Sequence, residues 1–255
     1  MATINNISIE LNNVSKSFGN TSALRNFSIN FHSSSMHVIV GPEGAGKTTL
    51  MRILAGLLPS YTGEIKYHYN IDQTTTTTTT TTIFNEIIRT ETAYMSERQS
   101  LYPDLSIKEH LEFFRDLYSL NSNDYQQKSQ ELLAITRLDK FVDRSAQKLS
   151  GGMYKKLGLI CSLLRSPQIL LLDEPTNGVD PISRREFWEL LYHLKEKKIL
   201  IIVTTSYMDE AEKCSTSHLM QDGELLESGN PNELLNKHQM TDFNSLFIKL
   251  TKGLS

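Results

Sequence analysis

The stretch Val38-Ile39-Val40-Gly41-Pro42-Glu43-Gly44-Ala45-Gly46-Lys47-Thr48-Thr49 decides the fold. Its first three residues are apolar and β-branched, which suits a strand buried on both faces. Gly41 to Thr48 then matches the spacing G-x-x-x-x-G-K-[ST]. A helix-like segment, Thr49 to Leu57, follows and is closed by Pro59. Strand, glycine-rich loop and helix in this order make a phosphate cradle. The glycines let backbone N–H groups wrap an anion, and the helix N-terminus favours negative charge. In such a loop Lys47 reaches the outer phosphates of a nucleoside triphosphate and Thr48 holds Mg²⁺. Gly41, Pro42, Glu43, Gly44, Ala45, Gly46, Lys47, Thr48 and Thr49 are therefore the expected nucleotide-binding residues.

Two further runs, Ile169 to Leu172 and Ile199 to Val203, are short and apolar on both faces. With Val38 to Val40 they predict the central parallel strands of an α/β sheet, whose carboxyl ends carry the ligand site. Upstream, Ile7 to Leu11 and Phe27 to Phe31 alternate with period two, as half-buried strands do, and Tyr61 to Glu64 reads as a turn into another strand. From Ser106 to Arg165 the period becomes helical. Ser106-Ile107-Lys108-Glu109 is a capping box, Ile107, Leu111, Phe114 and Tyr118 share one helical face, and a second helix is expected over Asp124 to Thr136. This predicts a helical lobe inserted into the α/β core, with a polar tail after about Asp222. The nine threonines Thr74 to Thr82 specify no register and are expected to form a solvated loop between two strands.

Composition excludes several classes. The 255 residues fit one large α/β domain, or a core with a smaller lobe. A net charge of −3 gives no basic field for nucleic acid. Cys161 and Cys214 fit neither a metal motif nor a redox pair, consistent with a reducing compartment. Met1 to Glu10 has no basic stretch leading into an apolar run, so no signal peptide is expected there, and N-x-S/T triplets such as Asn26-Phe27-Ser28 are incidental. No apolar run approaches the roughly 20 residues that span a bilayer, so a pore would have to come from another polypeptide.

Two more motifs complete the reading. Ile169-Leu170-Leu171-Leu172-Asp173-Glu174 places two acids at the end of a buried strand, where a cation or solvent must be near. Asp173 suits Mg²⁺ coordination, and Glu174 suits orienting and deprotonating an attacking water. Leu149-Ser150-Gly151-Gly152-Met153 opens a helical run and makes a second anion site at a helix N-terminus. This motif resembles the signature of ABC ATPases, and the resemblance runs from Leu11 to about Lys252. It differs only in ending on Met153 where glutamine is commonest.

The resemblance implies a P-loop NTPase fold: a RecA-like core with a mainly parallel sheet, an N-terminal antiparallel β subdomain and an inserted α-helical subdomain. It divides the chain into residues 1–97, 98–165, 166–222 and a C-terminal tail, 223–255. It implies Mg-ATP as the ligand, with two nucleotide-binding domains pairing head to tail. Leu149, Ser150, Gly151, Gly152 and Met153 would then meet ATP held by the partner. Phe18 matches the aromatic that stacks on adenine, and Asn177 to Asp180 matches the loop that crosses the dimer. Tyr102 to Leu105 lies where such proteins meet their membrane partner. Leu246 to Leu250 is similar to chains serving ABC-2-type exporters, which implies an ABC-2-type permease, transport outward and a location on the cytoplasmic face of the membrane. No nucleic acid is expected as a partner.

This chain departs from the family pattern at two positions. Glu97 stands where glutamine normally helps hold Mg²⁺ and the attacking water, and it adds negative charge beside triphosphate. Ser206 stands where a histidine normally contacts the γ-phosphate. A serine offers one hydrogen bond, has a shorter reach and cannot become cationic. The expectation is a site on Lys47, Asp173 and Glu174 that binds ATP but turns over slowly, with an intact signature completing a faster site on a different partner. That favours an asymmetric pair over a homodimer. Competing readings are a purely regulatory binding half and a soluble ABC ATPase. The latter is disfavoured by the single cassette and the lack of a heptad run.

Overall fold

The computed structural model describes residues 5–70, 78–82, 84–98 and 101–252. Along the chain run β1 (Asn5–Phe18), β2 (Thr21–Phe31), β3 (Met36–Val40), α1 (Lys47–Leu54), β4 (Thr62–Asn70), β5 (Thr78–Thr81), α2 (Glu86–Glu91), β6 (Thr92–Met95), α3 (Ile107–Leu117), α4 (Ser122–Thr136) and α5 (Gly151–Leu163). Then come β7 (Ile169–Asp173), α6 (Pro181–Lys195), β8 (Leu200–Thr205), β9 (Thr216–Gln221), β10 (Glu224–Gly229), α7 (Pro231–His238) and α8 (Phe243–Lys252).

The strands form two sheets. One is antiparallel, in the order β2-β1-β4-β5; the other runs β10-β9-β3-β8-β7-β6. In the second, β9, β3, β8, β7 and β6 are parallel and only β10 turns back. Side-chain alternation explains why the central strands are apolar throughout. In β7, Leu170 and Leu172 join a core with the helices α5 and α6, while Ile169 and Leu171 face α1 and the antiparallel sheet. In β8, Ile201 and Val203 take the first side, Leu200 and Ile202 the second. Each face of β7 and β8 is thus dry, and their polar residues come only where the strands end.

Between β6 and β7 the chain forms the helical lobe. Ser106 caps α3, accepting from the Glu109 N–H at 3.2 Å while the Glu109 carboxylate accepts from the Ser106 N–H at 2.7 Å. Ile107 and Leu111 are buried, with Phe114 and Tyr118 packed against the same core.

Three expectations are corrected. α1 begins at Lys47 and ends at Leu54, not over Thr49 to Leu57, because Gly56 adopts a left-handed φ of 70° and the Leu57 N–H turns back to the Arg52 carbonyl. The end of the threonine run is a strand: Thr78 to Thr81 pair with Asn70 to Tyr67. β-branched residues favour extended backbone, and the partner strand supplies the register they lack; Thr74 to Thr77 lie outside the described residues. The segment after Asp222 is also folded: β10, α7 and α8 place Leu234, Phe243 and Leu246 against Val40, Ala211 and Leu219. Its few apolar side chains recur at helical spacing, which its overall polarity hides. No helix among the described residues is long and apolar enough to cross a membrane.

β3, which leads into the phosphate loop, is tied to β9 by two stacked buried histidines. The His32 N–H donates to His37 Nε2 at 3.0 Å, so His37 Nδ1 carries the proton and donates to His218 Nε2 at 3.0 Å. His218 Nδ1 in turn meets Ser228 Oγ at 2.7 Å. Burial drives His37 from 6.5 down to about 4 and His218 well below its ordinary value. Both are neutral when folded and protonate when the chain unfolds. Their contribution is therefore fully present above about pH 6.5 and is lost as pH falls toward about 4. Urea unfolding at about pH 7.5 and about pH 5.5 should show lower stability at the acid value, by up to about 1.4 kcal/mol per pH unit for each histidine. A His37→Asn chain should show a shallower slope; an unchanged slope contradicts the assignment.

Candidate functional site

The ends of β3, β7 and β8 open onto one cavity of about 490 Å³, lined by Thr21, Ser22, Ala23, Glu43 to Thr49, Glu97, Arg98, Glu174, Asn177 and Ser206. Backbone geometry shapes its floor. Gly44 and Gly46 take φ of 80° and 104°. A Cβ on Gly46 would lie 2.3 Å from the Ala23 carbonyl oxygen, and one on Gly41 would lie 2.1 Å from that of Met220. The Ala45 carbonyl accepts from the Gly223 N–H at 2.9 Å, so the β9–β10 turn pins the loop from beneath.

Lys47, at the start of α1, is 5 % exposed. Its Nζ donates to the Gly41 carbonyl at 2.7 Å, the Pro42 carbonyl at 2.9 Å and Ser206 Oγ at 3.2 Å, and pairs with Glu174 Oε1 at 3.1 Å. Glu174 follows β7 in a left-handed conformation, φ 45°, held by its N–H on Thr204 Oγ1 at 3.0 Å. Ser206 grips the Glu174 carboxylate twice, N–H to Oε2 at 3.0 Å and Oγ to Oε1 at 2.7 Å. Asp173 is 1 % exposed and accepts from Thr48 Oγ1 at 3.1 Å, Thr204 Oγ1 at 2.7 Å and the Tyr94 hydroxyl at 3.1 Å. Burial together with the Asp173 charge raises the Tyr94 phenol well above its ordinary value, so it stays a donor. Both buried carboxylates are thus compensated by named donors.

Other expected residues lie at or beyond the rim. Glu97 lines the cavity, with its Oε1 accepting from Asn177 Nδ2 at 3.1 Å. Phe18 is 49 % exposed, outside the cavity lining, with Lys16 Nζ 5.1 Å from its ring. Ser150 caps α5 through the Met153 N–H at 3.3 Å. A Cβ on Gly152 would fall 2.5 Å from that of Ser183, so this glycine lets α5 press on the start of α6. Asp180 caps α6 through the Ser183 N–H at 3.0 Å. Leu149 to Met153 and Asp180 do not line the cavity. Of the chain's other histidines, neither His193 nor His218 lines the cavity to stand in for the missing one. His193 sits beside Glu196, and His218 is in the β3–β9 pair.

Sequence reasoning missed Tyr94, Thr204 and the lining residues Thr21 to Ala23. Thr204 was legible in principle: it pairs with Asp173 in register across β7 and β8, at the carboxyl end where ligands gather.

A glycine-walled loop at a helix start, with a buried lysine and two strand-end carboxylates, defines a P-loop nucleotide-binding fold. A family model described as ABC transporter matches residues 24–177, and the chain belongs to that family. It is 42% identical over 233 residues to the probable multidrug ABC transporter ATP-binding protein YbhF of Escherichia coli K12, covering 91% of this chain and 39% of that one. It is 30% identical over 233 residues to the Nod factor export ATP-binding protein I of Rhizobium sp. strain N33, covering 91% of this chain and 74% of that one. The chain spans less than half the length of the first curated relatives it matches. Among solved structures, an ATP-binding subunit of an ABC transporter superposes with a TM-score of 0.79 at 23% identity, covering 95% of this chain and 99% of that one. A nucleotide-free ATP-binding cassette superposes at 0.76 and 20%, covering 94% and 98%.

The two loop glycines should respond differently to substitution. Gly44→Ala meets nothing within 4 Å, so only the left-handed backbone penalty applies, about 1–2 kcal/mol. Gly46→Ala adds the clash with Ala23, and its loss of stability in urea should be clearly larger. Equal losses contradict the close approach.

Proposed function

We propose that this chain is the ATP-binding subunit of an ABC exporter, and that its own ATP site turns over slowly. The observation that carries the reading is the convergence of Lys47, Thr48, Glu174 and Ser206 on one cavity, with Asp173 buried behind it and bonded to Thr48. The loop N–H groups and Lys47 would hold the β- and γ-phosphates, with Lys47 leaving the Gly41 and Pro42 carbonyls to do so. Thr48, Asp173 and Glu97 would hold Mg²⁺. Their donors are all oxygen, which suits a hard cation that takes substrate phosphates as further ligands. When bound, Mg²⁺ offsets the charge of the phosphates.

Glu174 takes the role of general base, accepting a proton as water attacks the γ-phosphorus in line with the departing ADP oxygen. In this arrangement its two oxygens are already engaged by Ser206 and Lys47, so one must be freed before water can be oriented. Ser206 is also too short to replace a histidine at the γ-phosphate; a lost transition-state contact of that kind lowers rates about 10²–10³-fold. Slow turnover follows from both features. The Leu149 to Met153 segment, which starts α5, would close over ATP held by a second nucleotide-binding domain, in an asymmetric pair. Phe18 would stack on adenine, and Asp180 would lie in the loop that crosses the pair. The permease is an ABC-2-type membrane protein, and the chain sits on its cytoplasmic side. The exporter reading is supported by the printed names of the relatives, a probable multidrug transporter and a Nod factor exporter.

Steady-state ATPase assays test the slow site. Ser206→His should raise kcat by about tenfold or more, and Glu174→Gln should abolish what turnover there is while leaving Mg-ATP bound. If the unmodified chain is already fast and Ser206→His changes nothing, the slow-site reading is wrong.

A further inference from the structure

Glu210 is fully buried, in the 3₁₀ turn Met208–Lys213 that follows Ser206. Its Oε1 accepts from Arg184 Nε at 2.7 Å, from Trp188 Nε1 at 2.7 Å and from Thr176 Oγ1 at 2.9 Å. A carboxylate out of reach of water must keep such donors, so these side chains move as a unit with the turn. Arg184 strengthens the unit: it also binds Asp209 at 2.7 Å, and its guanidinium lies 4.2 Å from the centre of the Tyr207 ring.

The donors bracket one loop. Thr176 immediately precedes Asn177 to Asp180, and Arg184 and Trp188 lie on α6 just after it. At the other end of the unit, Ser206 grips Glu174 inside the cavity. Asn177 closes the circuit by donating to Glu97 on the cavity rim. A γ-phosphate that displaces Ser206 would pull on a turn held in the interior by Ala211, packed in the C-terminal core, and by the Glu210 carboxylate, which is clamped by both flanks of the 177–180 loop.

We propose that Glu210 is a positioning residue that couples Ser206 to the Asn177–Asp180 loop, so that a bound γ-phosphate resets the loop offered to the second subunit. This rests on the reading of the cavity as a Mg-ATP site and adds the link by which occupancy leaves it. Two sites coupled in this way would share one two-state element.

The chain supplies its own reporter. Trp188 is its single tryptophan, bonded to Glu210, with Lys213 of the same turn 5.6 Å from the centre of its ring. Tryptophan emission is read from the full chain with Mg-ATP and with Mg-ADP, while equilibrium dialysis measures binding independently. Mg-ATP should change the emission, and Mg-ADP should give less than about half that change because it lacks the γ-phosphate. Glu210→Gln should lose the response while its ATP dissociation constant stays within about twofold. Ser206→Ala, which leaves the buried network whole, should cut the response by about half or more, so the claim does not depend on the first variant folding. ATP retained in dialysis with no emission change in the unmodified chain overturns the coupling and spares the site reading. A full response in Ser206→Ala does the same, as does a full response in a folded Glu210→Gln, which would make Glu210 merely structural. No ATP retained in dialysis overturns both.

Discussion

The contact between Lys47 and Glu174, 3.1 Å apart and nearly shut off from solvent, is the constraint around which the molecule is arranged. Neither charge could be buried alone, because an unpaired ion in the interior costs several kcal/mol. Each arrives from the end of a different parallel strand, and Ser206, from the end of a third, bonds to both. The sheet must therefore hold β3, β8 and β7 side by side in register, and both of its faces must be dry. The apolar strands, the helices on one face and the antiparallel sheet on the other answer that requirement. Asp173, one residue before Glu174, points to the other side of its strand end and is satisfied by Thr48, Thr204 and Tyr94.

Ser206 looks different in this setting than it does in a one-dimensional reading. In the sequence it marks a missing side chain, a place where reach and charge have been lost. In the fold it is an active partner, placing both an N–H and a hydroxyl on the carboxylate that would serve as base. In the proposed slow site, the same substitution would both remove a phosphate contact and add a restraint, and both would act against turnover. Beyond it, the chain continues into the Glu210 network, so a position that departs from the expected pattern leads directly into a buried polar network.

Much of this was legible in the residues. The three apolar runs were readable as central strands because their hydrophobicity is continuous, and the phosphate loop because glycine and lysine spacing leaves few other uses. The Ser106 box was readable because capping is local chemistry. Apart from the end of α1, set locally by Gly56, what escaped depends on a partner element elsewhere in the chain. Thr78 to Thr81 become a strand only because β4 offers a register. The helices after Asp222 bury Phe243 and Leu246 against a core built much earlier in the chain. Tyr94 and Thr204 matter only once β6 and β8 flank β7. Phe18 and the Leu149 to Met153 segment lie outside the cavity lining, and their place in the account comes from likeness to other ABC proteins.

The account depends on Lys47 exchanging its internal oxygen partners for the phosphates of a nucleotide. Calorimetric titration of Mg-ATP into the full chain and into a Lys47→Ala chain tests this most directly. Saturable binding by the first, weakened about tenfold or more in the second, is the expected result, since a charge-assisted contact of this kind is worth about 1.5–3 kcal/mol. Equal affinity in the two chains, or no binding by the unmodified one, would contradict it.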